Sequence, residues 1–287
     1  MTTLQTPLHP AAGPPAAGPG RTGAVVATIA TILVVGLAAA GVWAIGRTIG
    51  VVGPPCHLTT SGGVRDLSRD EALDATTAAL VAQRRSAQPA DLAKVLFRVR
   101  SGELEHLDAA SATAALKTAR SAQAAAPAAE LAEARALLGY NGPALACETK
   151  QASVSRQAEG KSGLTPRAEH VRAELVSVAG PQKVGGYAPG GVDSGHMNGS
   201  AHYEGRAIDV FVRPVSARNT RRGWTMAHWA VAHAEQLQLA TVIFSDHIWT
   251  ARSLEHDWRP YTPPQGATTN AVLRHLDHVH LDVPRGS

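Results

Sequence analysis

Hydrophobic and polar positions divide this chain into three regimes. From Gly23 to Gly46 no residue is charged, and Ala, Val, Ile, Leu and Gly dominate. At a helical rise of about 1.5 Å per residue the stretch spans roughly 36 Å, enough to cross a hydrocarbon core of about 30 Å. Arg21 and Arg47 bracket it, and the pattern predicts a transmembrane helix over 23–46. A buried soluble helix is one alternative. A cleaved signal peptide, with Ala38-Ala39-Ala40 as its small-residue site, is another. The long Pro-rich leader and the apolar residues continuing to Ile45 favour an uncleaved anchor. Residues 1–22 read as a disordered cytoplasmic tail.

Helical spacing governs the next stretch. Ser68-Arg-Asp-Glu71 forms a capping box that opens a helix reaching about Arg85. Pro89-Ala-Asp91 starts a second helix to about Arg100, with Leu92, Val95 and Leu96 on one face. A third, Ala-rich stretch runs from Ala109 to Leu138 and is interrupted at Pro127. Residues 56–149 are therefore expected to form a helical module, and 150–164, rich in Gln, Ser, Lys and Gly, a linker.

The pattern then turns mixed. Thr165-Pro166 supplies an N-cap and a first-turn Pro for a helix to about Val178. Strands are expected around Val184–Tyr187, over Ala207–Val212, Thr241–Ser245 and His278–Val283, with a helix over Trp224–Leu237. The fold class is thus α+β over 165–287: a small, mostly antiparallel sheet with helices.

Charge and cysteine add the compartment. Lys+Arg total 27 and Asp+Glu 23, a formal charge of +4. That is too mild to imply nucleic acid, although it would sit comfortably against an anionic wall polymer. Cys56 and Cys147 lie at the two ends of the helical module. Such a pair suggests a disulfide and an oxidising exterior, with two buried thiols as the alternative. The expected placement is a single-pass cell-membrane protein with its C-terminal domain extracellular.

The chemistry concentrates in Ser200-Ala-His-Tyr-Glu-Gly-Arg-Ala-Ile-Asp209 and Asp277-His-Val-His280. One imidazole and one carboxylate seven residues apart, joined by an imidazole from a distant strand, are a sound ligand set for a catalytic Zn²⁺. Asp277 stands where a carboxylate could act as general base on the metal's water. Gly205 lets the backbone turn between ligands.

These motifs, Ser-x-His-x-x-Gly-x-Ala-x-Asp and Asp-His-x-His, resemble the zinc D-alanyl-D-alanine carboxypeptidases of the Hedgehog/DD-peptidase fold, here as a membrane-anchored actinobacterial member. The resemblance covers roughly Thr165 to Val283. Phe244-Ser-Asp-His-Ile-Trp249 and Trp258-Arg-Pro-Tyr261 also resemble secreted actinobacterial proteins that carry this domain. It implies that His202, Asp209 and His280 hold zinc, that Asp277 is the catalytic carboxylate, and that His278 flanks the metal as an electrostatic or proton-transfer partner. The substrate would be a peptide stem of peptidoglycan.

One departure is visible. Family members often carry Arg after a Gly-Tyr pair, and here Gly186-Tyr187 is followed by Ala188. Ser200, Arg206 and Tyr187 are the candidate substrate contacts, with Arg252 and Arg259 as further possible anchors. His196, in a turn-rich loop, reads as structural or solvent-facing. Trp224, Trp229 and Trp249 read as core or cleft walls, and His170, His228, His233 and His256 as ordinary surface or helix residues. The helical module faintly resembles small lytic transglycosylases. Glu103 and Glu105 are its nearest acids and are read as solvated, so no catalysis is assigned to it. Two other readings stay open: a non-catalytic wall-binding module that keeps the fold, and a structural envelope protein that recruits a partner through its helices.

Overall fold

The computed structural model describes residues 56–84, 128–150, 153–253 and 257–287. The cytoplasmic tail, the Gly23–Gly46 span, the Pro89–Arg100 helix, Glu103, Glu105 and His256 lie outside the described residues. Among those described, no helix is long and apolar enough to cross a membrane. Residues Pro54–Ser287 form one compact unit, an α+β arrangement of two antiparallel sheets and four described α-helices.

The first sheet was not visible in the helical spacing. Strands β1 (Cys56–Thr60), β2 (Gly63–Leu67) and β3 (Leu145–Cys147) pair in the order β2-β1-β3. Cys56 stands opposite Cys147 in the ladder, and the two are joined by a disulfide. Helix α1 (Arg69–Arg84) begins at the capping box: the Ser68 backbone N–H donates to Glu71 Oε2 at 2.7 Å, and the Glu71 N–H donates to Ser68 Oγ at 3.2 Å. Helix α2 (Ala128–Gly139) follows the break expected at Pro127.

The expected linker is fastened from residue 154 onward. The Arg156 N–H donates to the Ser287 carbonyl at 3.2 Å, and the Ser287 N–H donates to Val154 at 3.1 Å. Arg167 adds hydrogen bonds to the carbonyls of Ser155 and Pro284. Polar composition marks such a stretch as a linker, but here two of its backbone groups pair with the C-terminal residue of the chain. Arg167 belongs to helix α3 (Pro166–Ala179), whose N-cap Thr165 accepts from the Ala168 N–H at 3.4 Å.

The second sheet has the order β4-β5-β9-β6-β7-β8 and every pairing in it is antiparallel. Its strands are β4 (Val184–Gly185), β5 (Ala207–Phe211), β6 (Thr241–Phe244), β7 (His247–Thr250), β8 (Arg259–Pro260) and β9 (His278–Asp282). Strand alternation divides two of them cleanly. Ile208, Val210, Val279 and Leu281 are in the core, which leaves Asp209, His278, His280 and Asp282 on the other face. Helix α4 (Ala217–Ala232) covers the core face, starting seven residues earlier than the apolar spacing suggested. Ser216 caps it, accepting from the Asn219 N–H at 3.3 Å, and the polar run of its first turns conceals that start.

Candidate metal centre

Sheet register makes the site. Asp209 of β5 stands directly opposite His280 of β9, so their side chains rise from the same face a few ångströms apart. His202 arrives from a short 3-10 turn, Ala201–Glu204, which Ser200 caps and Gly205 ends in the left-handed region at φ 58°. A Cβ on Gly205 would fall 2.4 Å from the Gly163 carbonyl oxygen. The motif glycine is therefore required by both conformation and space.

The three expected ligands converge. His202 Nε2 lies 3.1 Å from His280 Nδ1 and 3.3 Å from Asp209 Oδ1, and His280 Nδ1 lies 3.1 Å from the same oxygen. Donors at the corners of a tetrahedron with metal–ligand bonds of about 2.0–2.1 Å would be about 3.3–3.4 Å apart. The triangle is within a few tenths of an ångström of one tetrahedral face. The opposite nitrogens are also held: His202 Nδ1 is 2.7 Å from the Gly186 carbonyl, and His280 Nε2 is 3.4 Å from Asp282 Oδ2. Both contacts favour the tautomer that turns the remaining nitrogen's lone pair inward.

Asp209 and Asp282 make this triangle favour positive charge. Burial pushes the Asp209 carboxyl up, but the His202 and His280 imidazoles beside it outweigh that and hold the group well below the usual carboxylate range. Burial opposes a charge on His280, yet Asp209 and Asp282 together push it up to about 9. The chemistry of the donor set, two imidazoles and one carboxylate, suits zinc.

Asp277 and His278 are placed differently from expectation. Both Asp277 oxygens are engaged: Oδ1 lies 2.8 Å from His278 Nδ1, and Oδ2 accepts from Arg213 Nε at 2.6 Å. Burial raises the Asp277 pKa, but the contacts with His278 and Arg213 prevail and lower it. Asp277 does not line the cleft, whereas His278 does. His278 Nε2 is 3.7 Å from Asp209 Oδ1. The side chain that faces the centre beside the ligands is therefore the imidazole, with the carboxylate behind it. The expectation that Asp277 itself faces the metal's open position gives way to this geometry.

The cleft over the triad has a volume of about 570 Å³, and Thr241, Ile243, Ile248 and Tyr261 are part of its lining. Of the expected substrate contacts, Ser200 lines it while also capping the turn that carries His202. Arg206 does not. It is tied to Glu204 at 2.6 Å and to the Val283 carbonyl at 2.7 Å, and opens on a separate depression with Arg156 and Arg285. Tyr187 packs against the core beside Arg172. Neither Arg252 nor Arg259 lines the cleft, and among the described residues no Lys or Arg does.

Two histidines at the site carried little sequence signal. The His196 ring stacks on His202 with centroids 3.9 Å apart, and its donor groups with those of His202 and Asp209 within 4.8 Å. Burial and then His202 hold its pKa below the ordinary value. His275 lies 4.7 Å from His278, ring to ring, and burial followed by its charged neighbours pushes it down to about 3. The run His275-Leu-Asp-His-Val-His280 holds three imidazoles in six residues, the one signal that could have flagged His275. Trp224, Trp229 and Trp249 are fully buried in the core and line no part of the cleft.

A family model described as VldE, C-terminal domain, matches residues 160–272. The match takes in His202 and Asp209 and ends before Asp277, His278 and His280. No curated protein and no solved structure matches the chain.

Proposed function

We propose that this chain is a zinc-dependent peptidase that hydrolyses the peptide stems of peptidoglycan, held at the outer face of the cell membrane by the Gly23–Gly46 segment. The observation that carries the reading is the triangle of His202 Nε2, Asp209 Oδ1 and His280 Nδ1, with edges of 3.1–3.3 Å. The likeness of its two motifs to the D-alanyl-D-alanine carboxypeptidases supplies the substrate class. The disulfide agrees with an oxidising exterior.

Zinc held there would polarise the scissile carbonyl and bring the pKa of a bound water towards neutrality. The residues around it divide the remaining work. His278, exposed to the cleft through Nε2, takes a proton from water and passes it to the leaving amine. Asp277 accepts from His278 Nδ1 and keeps Nε2 directed at the centre, while Arg213 holds Asp277 in turn. Ile243, Ile248 and Tyr261 form the wall that takes the stem peptide and limits water.

The test is zinc analysis of the purified chain together with digestion of muropeptides followed by mass spectrometry. About one zinc per chain and chelator-sensitive release of an amine terminus are expected, and His202→Ala should abolish both. Failure to bind zinc would sink the reading. A second reading, a wall-binding domain without turnover, is favoured by one observation: the described cleft lining holds no cation to anchor a substrate carboxylate. Zinc-loaded chain that retains wall fragments yet releases no amine from any of them would select it.

A further inference from the structure

We propose that His196 is a fourth protein ligand, closing the metal centre in the resting protein and leaving only when substrate enters. This rests on the reading of His202, Asp209 and His280 as metal ligands. Three donors fill one face of a tetrahedron, and His196 lines the same cleft as all three of them. Its ring lies almost parallel to that of His202, 18° between planes and 3.9 Å between centroids. Its donor is within 4.8 Å of those of His202 and Asp209. The gap to a tetrahedral edge of about 3.3 Å is therefore at most roughly 1.5 Å, which rotation of one imidazole about its χ angles can close.

The backbone beneath His196 is held by a single side chain. The Tyr203 hydroxyl accepts from the His196 N–H at 3.0 Å and donates to the His196 carbonyl oxygen. Tyr203 belongs to the same 3-10 turn as His202. The phenol thus fixes the distance between the two histidine backbones, while the His196 side chain rests on the His202 ring. Beyond this clamp the loop is open: a Cβ on Gly195 or Gly199 would meet nothing within 4 Å. Three imidazoles and one carboxylate make a closed, four-coordinate site of the structural kind, and removing one imidazole restores the open position that catalysis needs.

X-ray absorption at the zinc edge, measured on the full chain loaded with Zn²⁺, counts the coordinated imidazoles. Three are expected in the wild type, two in His196→Ala. Tyr203→Phe, which loses the donor to the His196 carbonyl, should show a mixture. The Zn²⁺ dissociation constant should rise in His196→Ala by about 10–100-fold or more, the loss that even an outer partner of a ligand causes. Loaded with Co²⁺, wild type should resist azide while His196→Ala takes it up with a change in its visible spectrum. Two imidazoles and equal azide affinity in both proteins would overturn the latch while leaving the three-ligand site intact. A wild type that binds no Zn²⁺ at all would overturn both the latch and the metal reading on which it rests.

Discussion

Acid should unfold this protein through its buried, neutral histidines, and His228 isolates the effect. His228 is fully buried on α4, accepts from the Ala144 N–H through Nε2 at 3.0 Å and stacks on Trp224 at 5.5 Å. Burial pushes its pKa from 6.5 down to about 3, opposed by the backbone of Gly142. A folded pKa below the unfolded one means stability that is complete above about pH 6.5 and is lost as the pH falls towards 3. Each unit in that window is worth about 1.4 kcal/mol, so at pH 4.5 the loss from this one ring is about 2–3 kcal/mol. That is a sizeable part of a typical 5–15 kcal/mol. His228→Gln places an amide oxygen near the position of Nε2 and cannot titrate. The variant should be the less stable protein at pH 7.5, having lost its stacking on Trp224. At pH 4.5 the difference should have moved about 2–3 kcal/mol in its favour. Urea titrations followed by tryptophan fluorescence measure both gaps, and His233 and His275, pushed down to about 4 and about 3, cancel in the comparison. A wild-type-to-variant gap that stays the same at the two pH values would refute the reasoning.

Three further outcomes follow from the geometry. The disulfide closes a sequence separation of 91 residues, so the Cys56→Ser and Cys147→Ser pair should cost about 4–5 kcal/mol on the loop-entropy estimate; a urea midpoint indifferent to reductant would contradict it. A Cβ at Gly186 would lie 2.4 Å from His202 Cε1 and 2.6 Å from its Nδ1, at a φ of +83°. Gly186→Ala should therefore displace the ring and weaken zinc by about 10–100-fold or more in equilibrium dialysis; unchanged affinity would remove His202 from the ligand set. Arg213→Met keeps an aliphatic stem near Phe211 but releases Asp277 Oδ2. It should lower kcat roughly tenfold with KM unchanged, against the 10²–10⁴ expected of His278→Gln. If instead Asp277→Asn slows hydrolysis far more than His278→Gln does, the order of the two groups is reversed.

The site was more legible in the sequence than the fold that supports it. His202, Asp209 and His280 were readable because ligand chemistry demands particular side chains at particular spacings. Strand alternation then makes Asp209 and His280 neighbours once β5 and β9 pair. The placement of Asp277 and His278 was not readable. A carboxylate three residues before a ligand can face the centre or face away, and what decides is Arg213, 64 residues distant, drawing Asp277 off at 2.6 Å. His196 went unweighted because glycine-rich loops usually signal turns, and nothing in its spacing shows that Tyr203 clamps it. The strands β1, β2 and β3 were hidden for a different reason. They are short, and β2 exposes four of its five residues, so no alternation of period two develops. β1 and β2 form a local hairpin through Ser61-Gly62, but the pairing of β1 with β3 comes from long-range closure of the chain, which local pattern does not report.

That closure bears on what the residues before Lys150 are for. Trp258 Nε1 donates to the Leu145 carbonyl at 2.8 Å, Arg69 donates to the Ala232 carbonyl at 3.1 Å, and His228 receives the Ala144 N–H. Each bond joins the disulfide-bearing segment to α4 or to the loop before β8. Buried Ala75, Ala79 and Leu80 of α1 share one core with Trp224, Ala227 and Val231 of α4. The other side of α4 lies against β6 and β9, the strand that carries His278 and His280. Stripping away the disulfide segment would take these partners from the Trp258 indole N–H, the Ala232 carbonyl and the His228 ring and leave one face of α4 in water, each at a cost of order 1 kcal/mol or more. The segment therefore fixes the helix that lies behind the sheet on which Asp209, His278 and His280 stand.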